Sequence, residues 1–283
     1  MDKYDPKAFW NGRFEKFKHT GDCDNIIYRH SQSFRLRLID RILSRLNFQV
    51  GEKTRILDIG CGTGDFIALL CRKGVNEITG IDLSDQVIEY ASKRFSDKPS
   101  IKLQVTSAED MTFGPAYLFD LIFSINVLQH INNTKLLLRS IDNMVKVVNR
   151  DGHIVVMDFA PIVEKKKCSQ EYVTIRSRKE YINIFENKGC SLIGEYGVPS
   201  LGSNLCRSIK NSIHSITNRA SARTEPGRKD RTEDVMGVGT IKHRLYDLVK
   251  IVVLRLVAPF DYLLTLLPYK RSDMCVLVFK REI

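Results

Sequence analysis

Residues 54–66, Thr-Arg-Ile-Leu-Asp-Ile-Gly-Cys-Gly-Thr-Gly-Asp-Phe, join a short apolar run to three glycines at alternate positions. The run Ile56–Ile59 is typical of a buried parallel strand, and the glycines that follow it predict a tight turn. Apolar residues then recur from Phe66 to Leu70 at a spacing that fits the buried side of a helix. The stretch therefore predicts a strand, a glycine-rich loop and a helix, the repeating unit of an α/β fold.

The glycine spacing distinguishes this loop from two common phosphate-binding loops. A dinucleotide fingerprint needs its third glycine at position 65, where the chain has Asp65, and the Gly-Lys-Ser/Thr of a phosphate loop is absent. The loop is thus suited to a nucleoside that carries no diphosphate. Here the chain resembles the class I (Rossmann-like) S-adenosylmethionine-dependent methyltransferases, in the small-molecule branch similar to methyltransferase types 11 and 12. Their loop pattern, acidic-x-Gly-x-Gly-x-Gly, is matched by Asp58, Gly60, Gly62 and Gly64.

The resemblance implies S-adenosyl-L-methionine as the cofactor and assigns further residues to its binding. Asp82 stands eighteen residues after the last glycine, where a carboxylate can accept hydrogen bonds from both ribose hydroxyls, and Leu83 follows it. Relatives often carry Asp at the position of Ser107, so either Ser107 or Glu109 is expected to bond the adenine amino group. The contacts implied for the adenine turn and for the loop beside the methionine part are Ser107, Ala108, Glu109 and Asn126.

Strands and helices alternate along the chain from residue 56 to residue 196. This order predicts a doubly wound, seven-stranded, mostly parallel sheet with ligands at the carboxyl ends of the strands. The resemblance adds that the final strand runs antiparallel between the fifth and the sixth, with a helical insertion before it. The expected parts are an N-terminal helical cover (1–50), a cofactor-binding core (51–199), an insertion over the acceptor site (200–272) and the final core strand (273–283).

The insertion carries the chain's uneven charge. Residues 161–283 hold 22 Lys/Arg against 13 Asp/Glu, whereas residues 1–160 hold 22 against 20. The basic stretch 203–232 is interpreted as a solvated loop, with a site for an anionic substrate, nucleic acid or membrane phosphate as the alternative. The apolar stretch Leu248–Leu267 contains charges and Pro259, which argue against a transmembrane span and favour helices over the substrate opening. Peripheral membrane contact is the alternative for this stretch.

Two residues are candidates for a general base. Methyl transfer of the type that the resemblance implies is a direct displacement at a sulfonium methyl, so the protein mainly aligns the reactants and excludes water. A hydroxyl acceptor would also have to lose its proton. His130 and Asp158 each follow the carboxyl end of a predicted strand and could accept it. The alternatives are that His130 only belongs to a shared loop and that Asp158 only caps a turn.

Composition limits the class of protein. The chain has 283 residues, 43% of them hydrophobic, which is enough for one substantial core with additions. Its seven cysteines include no Cys-x-x-Cys pair, so neither a disulfide framework nor a structural metal site is expected. The first residues lack a basic region followed by an apolar core, so no secretion signal is expected, and a cytoplasmic location is the default.

Three functional classes follow from these observations. The leading one is a methyltransferase for a small-molecule acceptor, acting on oxygen of a sugar, a lipid-linked compound or a secondary-metabolite intermediate. An RNA methyltransferase is suggested by the basic C-terminal half, although the fourth strand ends in Ser-Ile-Asn-Val rather than the Asn/Asp-Pro-Pro-aromatic used on exocyclic base amines. A non-catalytic binding protein on the same fold is the third. The acceptor, the methylated atom and the oligomeric state are not indicated by the sequence.

Overall fold

A computed structural model of the chain describes residues 4–21, 24–46, 48, 50–114, 117–163, 172–198, 205, 208, 241–264 and 272–282. The chain divides into two compact units. Unit 1 comprises Met1–Gly21, Ile39–Val198 and Pro268–Ile283, and unit 2 comprises Asp22–Leu38 and Pro199–Leu267.

Unit 1 is built on a seven-stranded sheet with the strand order β3-β2-β1-β4-β5-β7-β6. Strands β1 to β5 are parallel, and β7 lies antiparallel between β5 and β6. The predicted fold class, including an insertion between the last two strands, is confirmed. The strands are β1 (Ile56–Ile59), β2 (Ile78–Asp82), β3 (Ile101–Val105), β4 (Phe119–Ile125), β5 (Val148–Phe159), β6 (Cys190–Gly197) and β7 (Met274–Arg281).

The helices of the described residues follow the sheet in the expected alternation. They are α1 (Pro6–Phe17), α2 (Asn25–Arg45), α3 (Asp65–Arg72), α4 (Asp85–Arg94), α5 (Thr134–Val147), α6 (Arg178–Glu186) and α7 (Ile241–Leu264), with a short 3-10 turn at Leu128–His130. Two of these helices begin at side chains that cap them. The Ser84 hydroxyl accepts the Val87 N–H at 3.2 Å, and Ser177 with Glu180 forms a capping box.

Strand β1 lies at the centre of the sheet, and its position sets the location of the ligand site. All four of its residues are buried. Ile59 is in register with Ile81 of β2 and with Ser124 of β4, so the carboxyl ends of these three strands lie side by side. Side chains that follow them therefore meet at one edge of the sheet.

Strand β5 differs from its prediction. The sequence places a turn at Asp151-Gly152 before a strand that begins at Ile154, whereas the observed strand begins at Val148. Val148 pairs with Phe119, and the register with β4 shifts between Phe119 and Leu121. Asp151 has a positive φ of 62°, so the turn residues are absorbed as an irregularity within the strand.

Unit 2 contains the first part of α2 and the described part of the insertion. Helix α7 runs continuously through Pro259. Within the described residues, no helix is long and apolar enough to cross a membrane. Apart from Leu205 and Ser208, the basic stretch 203–232 lies outside the described residues, and the proposed cover of the acceptor site by the insertion stays a prediction.

Candidate active site

The glycine loop between β1 and α3 requires glycine for its backbone shape. Gly60, Gly62 and Gly64 have φ values of 67°, 53° and 77°, a left-handed conformation that other residues adopt only with strain. The N–H groups of Gly60 and Cys61 both donate to the Ile81 carbonyl, at 2.7 and 3.0 Å. These bonds fix the loop against the end of β2.

The space around the three glycines differs. A Cβ atom on Gly60 would overlap Val127 Cγ2, and one on Gly64 would overlap the Phe95 ring. A Cβ atom on Gly62 would have only Thr20 Oγ1 near it, at 3.4 Å. Gly60 and Gly64 thus permit close packing within the protein, whereas Gly62 leaves its face of the loop available to a bound molecule.

Asp82 ends β2 and holds the glycine loop. Its Oδ2 accepts the Gly62 N–H at 3.0 Å, and its Oδ1 accepts the Ser84 N–H at 2.9 Å. Burial raises the pKa of this carboxyl, and the bonds from Ser84 and Gly62 act in the opposite direction. Each carboxylate oxygen can accept further hydrogen bonds, so Asp82 remains able to receive the predicted ribose hydroxyls. The neighbouring Leu83 is half-buried.

The predicted adenine turn follows β3 and is tied to its surroundings. The Ser107 hydroxyl accepts the Asp110 N–H at 3.2 Å and donates to Asp110 Oδ2 at 3.0 Å. The Asn143 amide donates to the carbonyls of Ala108 and Glu109, at 3.2 and 2.9 Å. The Ser107 oxygen accepts one hydrogen bond and keeps a second lone pair, so Ser107 and Glu109 both remain able to accept a bond from an adenine amino group. The assignment of adenine to this turn stays a prediction.

Unpartnered polar atoms gather at the ends of β1 and β4. Asp58 Oδ2, Ser124 Oγ and Asn126 Oδ1 are buried and have no hydrogen-bond partner among the described residues. Burial and then the nearby charge of Asp82 raise the pKa of Asp58 to about 8. Asn126 has a positive φ of 57°, which is uncommon outside glycine and is often found at functional positions. Buried polar atoms are normally satisfied, so this edge fits a bound polar ligand or water.

His130 is held at both ring nitrogens. Its Nδ1 lies 2.7 Å from the Tyr172 carbonyl, so Nδ1 carries the proton and donates it. The Gln129 side chain accepts the Phe159 N–H through Oε1 at 2.8 Å, which leaves its Nε2 to donate to His130 Nε2 at 3.2 Å. Burial is the main cause that lowers the pKa of His130. The imidazole is therefore neutral at pH 7, and the lone pair that a general base would use is already occupied.

The structure places Asp158 in a buried position at the end of β5, where its side chain is only 1% exposed. Burial raises its pKa to about 8, although the Tyr181 hydroxyl, the Gln129 N–H and Arg176 favour the ionised form. Burial of the side chain weighs against direct contact with an acceptor. The catalytic role of Asp158 stays a prediction, and so does the alternative that it only caps a turn.

Helix α1 is attached to the site through α4. The Ser84 hydroxyl donates to Asn11 Oδ1 at 2.6 Å, and the Asn11 amide donates to Asp85 at 2.9 Å. The Gln86 amide donates to Glu15 at 2.6 Å. We refer to these three bonds as the α1–α4 clasp. It places the aromatic side of α1 near the carboxyl edge of the sheet, where the Trp10 ring meets the His130 ring edge-on at 4.8 Å between centroids.

Sequence reasoning missed several residues that shape this edge. The Arg176 guanidinium donates to the carbonyls of Leu128 and Ile131, at 3.2 and 2.7 Å, and so fixes the loop after β4. In the sequence, Arg176 is notable only because it precedes the Ser177 capping box. That position does not predict a contact with the loop after β4. The other missed residues, for which no local signal exists, are Thr20, Gln129, Asn143 and Tyr172.

Comparison with known proteins agrees with this geometry. A methyltransferase-domain family matches residues 56–152. The ubiquinone biosynthesis O-methyltransferase of Neisseria meningitidis serogroup C is 25% identical over 155 residues, which are 54% of this chain and 61% of that protein. The O-methyltransferase cnsE of Penicillium expansum is 31% identical over 153 residues, 53% of this chain and 51% of that protein.

The fold also matches solved structures. The magnesium protoporphyrin IX methyltransferase from Synechocystis PCC 6803, solved with bound S-adenosylmethionine, aligns with a TM-score of 0.54 at 15% identity, covering 71% of this chain and 93% of that one. The chain spans less than two thirds of the length of the two curated relatives described above. The glycine loop, the strand order and the matched domain agree: residues 56–152 match a methyltransferase domain, and the findings support a class I S-adenosylmethionine-dependent methyltransferase with S-adenosylmethionine as its cofactor.

Proposed function

We propose that the chain transfers the methyl group of S-adenosylmethionine to an oxygen atom of a small-molecule acceptor. The acceptor classes that we favour are a sugar, a lipid-linked compound and a secondary-metabolite intermediate. The observation that carries the proposal is the meeting of an open glycine face at Gly62, the Asp82 carboxylate and the unpartnered Asn126 Oδ1 at one edge of the sheet. The choice of oxygen is supported by the two curated relatives, which are O-methyltransferases by name.

The residues at this edge fit the cofactor. Asp82 would hold the ribose, the turn at 107–109 would hold the adenine, and Asn126 with Asp58 would face the methionine part. The open face of Gly62 would lie against the bound molecule. The cofactor supplies a methyl group already activated on a sulfonium sulfur.

The chain's own contribution is then alignment and exclusion of water. The loop after β4 is fixed by Arg176 and by the Gln129–His130 bonds, and α1 is fixed by the α1–α4 clasp. Rigid positioning of two reactants accounts for a large part of the rate in reactions of this kind. As a base for an acceptor hydroxyl, Asp158 would have to act from its buried position, and His130 could serve only after it releases Gln129.

The other two functional classes receive no support from the described residues. The basic stretch that suggested RNA as a substrate lies outside them. A non-catalytic binding protein on the same fold would bind the same cofactor and differs from an enzyme only in the absence of product. It is therefore an outcome of the experiment below.

Two measurements test the proposal. Calorimetry should show binding of S-adenosylmethionine and S-adenosylhomocysteine and none of NAD, because the loop lacks the third glycine that a diphosphate requires. Incubation with isotopically labelled S-adenosylmethionine and a metabolite extract of the source cell, followed by mass spectrometry, should then reveal a labelled small molecule. Gly62→Val is the matched control and should give no labelled product. Preferred binding of NAD would overturn the cofactor assignment, and labelled RNA without a labelled metabolite would overturn the acceptor class.

A further inference from the structure

Helix α7 in unit 2 buries two charged side chains and exposes a row of large apolar ones. Lys250 is 4% exposed and Asp261 is 2% exposed, whereas Leu256 is 67% exposed and Phe260 is 61% exposed. A surface helix of a globular protein normally buries its apolar stripe and exposes its charges. The arrangement in α7 therefore needs its own explanation.

The buried charges of α7 are satisfied within unit 2. Lys250 Nζ lies 2.5 Å from Asp24 Oδ2 and 2.7 Å from Asp247 Oδ1. Asp261 lies 3.4 Å from the ring of His30. Partners of this kind compensate the cost of burying the charges. Leu254 is also buried on the inward side and packs with Ile27, so this side of α7 combines apolar packing with paired charges.

The outward side of α7 carries a continuous apolar stripe. Its members recur every three or four residues and are all exposed, and we call them the α7 stripe: Leu248, Val252, Leu256, Phe260 and Leu263. Ile251 and Pro259 lie beside it and are exposed as well. At 1.5 Å per residue the stripe is about 22 Å long. Contiguous apolar patches of this size on a protein surface mark interaction sites.

The charge of the surrounding sequence indicates the kind of partner. Residues 22–38 and 199–267, which form unit 2, contain 14 Lys/Arg against 8 Asp/Glu. Two basic residues of α7, Lys242 and Arg244, precede the stripe in the sequence. Arg255 is exposed beside it. An apolar stripe flanked by Lys and Arg on a helix too polar to span a bilayer is the pattern of a helix that lies in a membrane interface.

We propose that the α7 stripe docks on the surface of an anionic lipid bilayer, with the helix lying parallel to the membrane plane. The apolar side chains enter the boundary between headgroups and acyl chains, and the basic residues attract the anionic headgroups. A self-complementary dimer is less favoured, because a second copy would bring a second basic unit to the same place. The proposal stands on α7 alone and does not depend on methyl transfer.

Vesicle flotation with the full chain tests this docking. The wild type should float with phosphatidylcholine vesicles that contain 30% phosphatidylglycerol and should float much less with pure phosphatidylcholine. Leu256→Glu combined with Phe260→Glu should lower the partition coefficient by about tenfold or more, since two inserted apolar groups are lost and two repelling charges are added. The matched control is Leu136→Glu combined with Ile193→Glu, which changes two exposed apolar residues of unit 1 and should float like the wild type.

Circular dichroism and sedimentation velocity complete the test. Both double variants should keep the wild-type circular dichroism, because the four substituted side chains are exposed. Should the α7 variant unfold, Phe260→Ser alone is expected to fold and to float less than the wild type. Failure of the wild type to float with anionic vesicles, or equal flotation of the wild type and the folded α7 variant, would overturn the proposal. A wild-type dimer that the α7 variant dissociates, without any flotation, would assign the stripe to a second copy of the chain instead.

Discussion

At the scale of single residues, Asp82 has two tasks that substitutions can separate. It holds the glycine loop through the N–H groups of Gly62 and Ser84, and we propose that it also holds the cofactor ribose. Asn at this position keeps one acceptor oxygen for the loop, whereas Ala keeps none. The two substitutions therefore remove different parts of its role.

Asp82→Ala should weaken binding of S-adenosylmethionine by about 1.5–3 kcal/mol, the usual loss when a charged hydrogen-bond partner is removed. Asp82→Asn should weaken it less. Calorimetry measures both, with Asp142→Ala on α5 as a control whose affinity should equal the wild type. Equal affinity in all three variants, with the fold intact, would place the cofactor elsewhere.

The three glycines of the loop should respond differently to alanine. Gly62→Ala has only Thr20 Oγ1 near the new Cβ atom and should lose about 1–2 kcal/mol of stability from its left-handed backbone. Gly64→Ala has the same backbone strain and also overlaps the Phe95 ring, so its loss of stability should be larger. Denaturant unfolding measures the two losses. Cofactor affinity should fall in the folded Gly62→Ala variant. If its affinity equals that of the wild type, the cofactor does not lie against the open face of Gly62.

Asp158 predicts a pH dependence of stability. Its pKa is about 8 in the folded protein and 3.8 as the ordinary value, so between these values the unfolded chain loses a proton that the folded chain keeps. The folded state is therefore progressively penalised as the pH rises from about 4 to about 8, by up to about 1.4 kcal/mol per pH unit. Asp158→Asn removes this penalty.

The Asp158→Asn variant should thus gain stability relative to the wild type as the pH rises from 5 to 8. Thermal unfolding at several pH values measures the gain. The remaining pH dependence of the variant should come in part from Asp58, whose pKa is also about 8. A constant difference between wild type and variant across this range would show that Asp158 is ionised in the folded protein.

At the scale of elements, the α1–α4 clasp determines how α1 sits at the ligand edge. The clasp consists of three side-chain hydrogen bonds, one of them from the buried Ser84 hydroxyl, and each contributes about 0.5–1.5 kcal/mol. The capping box of α6 is a second local feature of unit 1. The two can be compared directly.

Asn11→Ala combined with Glu15→Ala should speed amide hydrogen exchange in α1 and weaken cofactor binding, because the helix no longer stays fixed to α4. Ser177→Ala, which removes the α6 cap at a cost of about 1 kcal/mol, is the control for a general loss of stability. Exchange measured by mass spectrometry should rise in α6 for that control and stay unchanged in α1. Similar exchange of α1 in both variants would mean that the clasp does not hold it.

In the molecule as a whole, the residues that we assign to the cofactor and the basic stretch of the insertion belong to different units. Every described residue that we assign to the cofactor belongs to unit 1, whereas the basic stretch 203–232 belongs to unit 2. The insertion that contains this stretch is predicted to cover the acceptor site, with a solvated loop as the simpler interpretation of the stretch itself. Cofactor binding and the basic charges should then be independent.

Neutralising Arg223, Arg228, Lys229 and Arg231 together should leave the effect of cofactor on stability unchanged. S-adenosylmethionine at 100 times its Kd should stabilise both proteins by about 2.7 kcal/mol, as linkage requires for a ligand that binds only the folded state. Calorimetric unfolding with and without ligand measures this. The same variant should show a higher KM for an anionic acceptor once one is identified. If S-adenosylmethionine stabilises the variant less than the wild type, the basic stretch contributes to cofactor binding instead.

Local sequence patterns were sufficient to predict the sheet and the edge of it at which we place the ligand. The run Ile56–Ile59, the glycines after it and the spacing from Phe66 are local signals, because a left-handed turn admits little but glycine and a buried face needs apolar residues at fixed intervals. The strand order, with the final strand antiparallel between the fifth and the sixth, came from the family resemblance rather than from these local signals. Caps such as Ser84 and Ser177 were predictable from local signals, since each acts within a few residues of itself.

Only the tertiary structure decided the state of the side chains at that edge. Asp158 and His130 occupy similar positions after strands in the sequence. In the structure, Asp158 is buried beside Tyr181. The His130 ring is hydrogen-bonded to the Gln129 side chain and to the Tyr172 carbonyl. The burial of Lys250 on α7 depends likewise on Asp24, which lies 226 residues before it. Burial and ionisation are set by partners that are distant in the chain, and no local pattern encodes which partners the fold brings together.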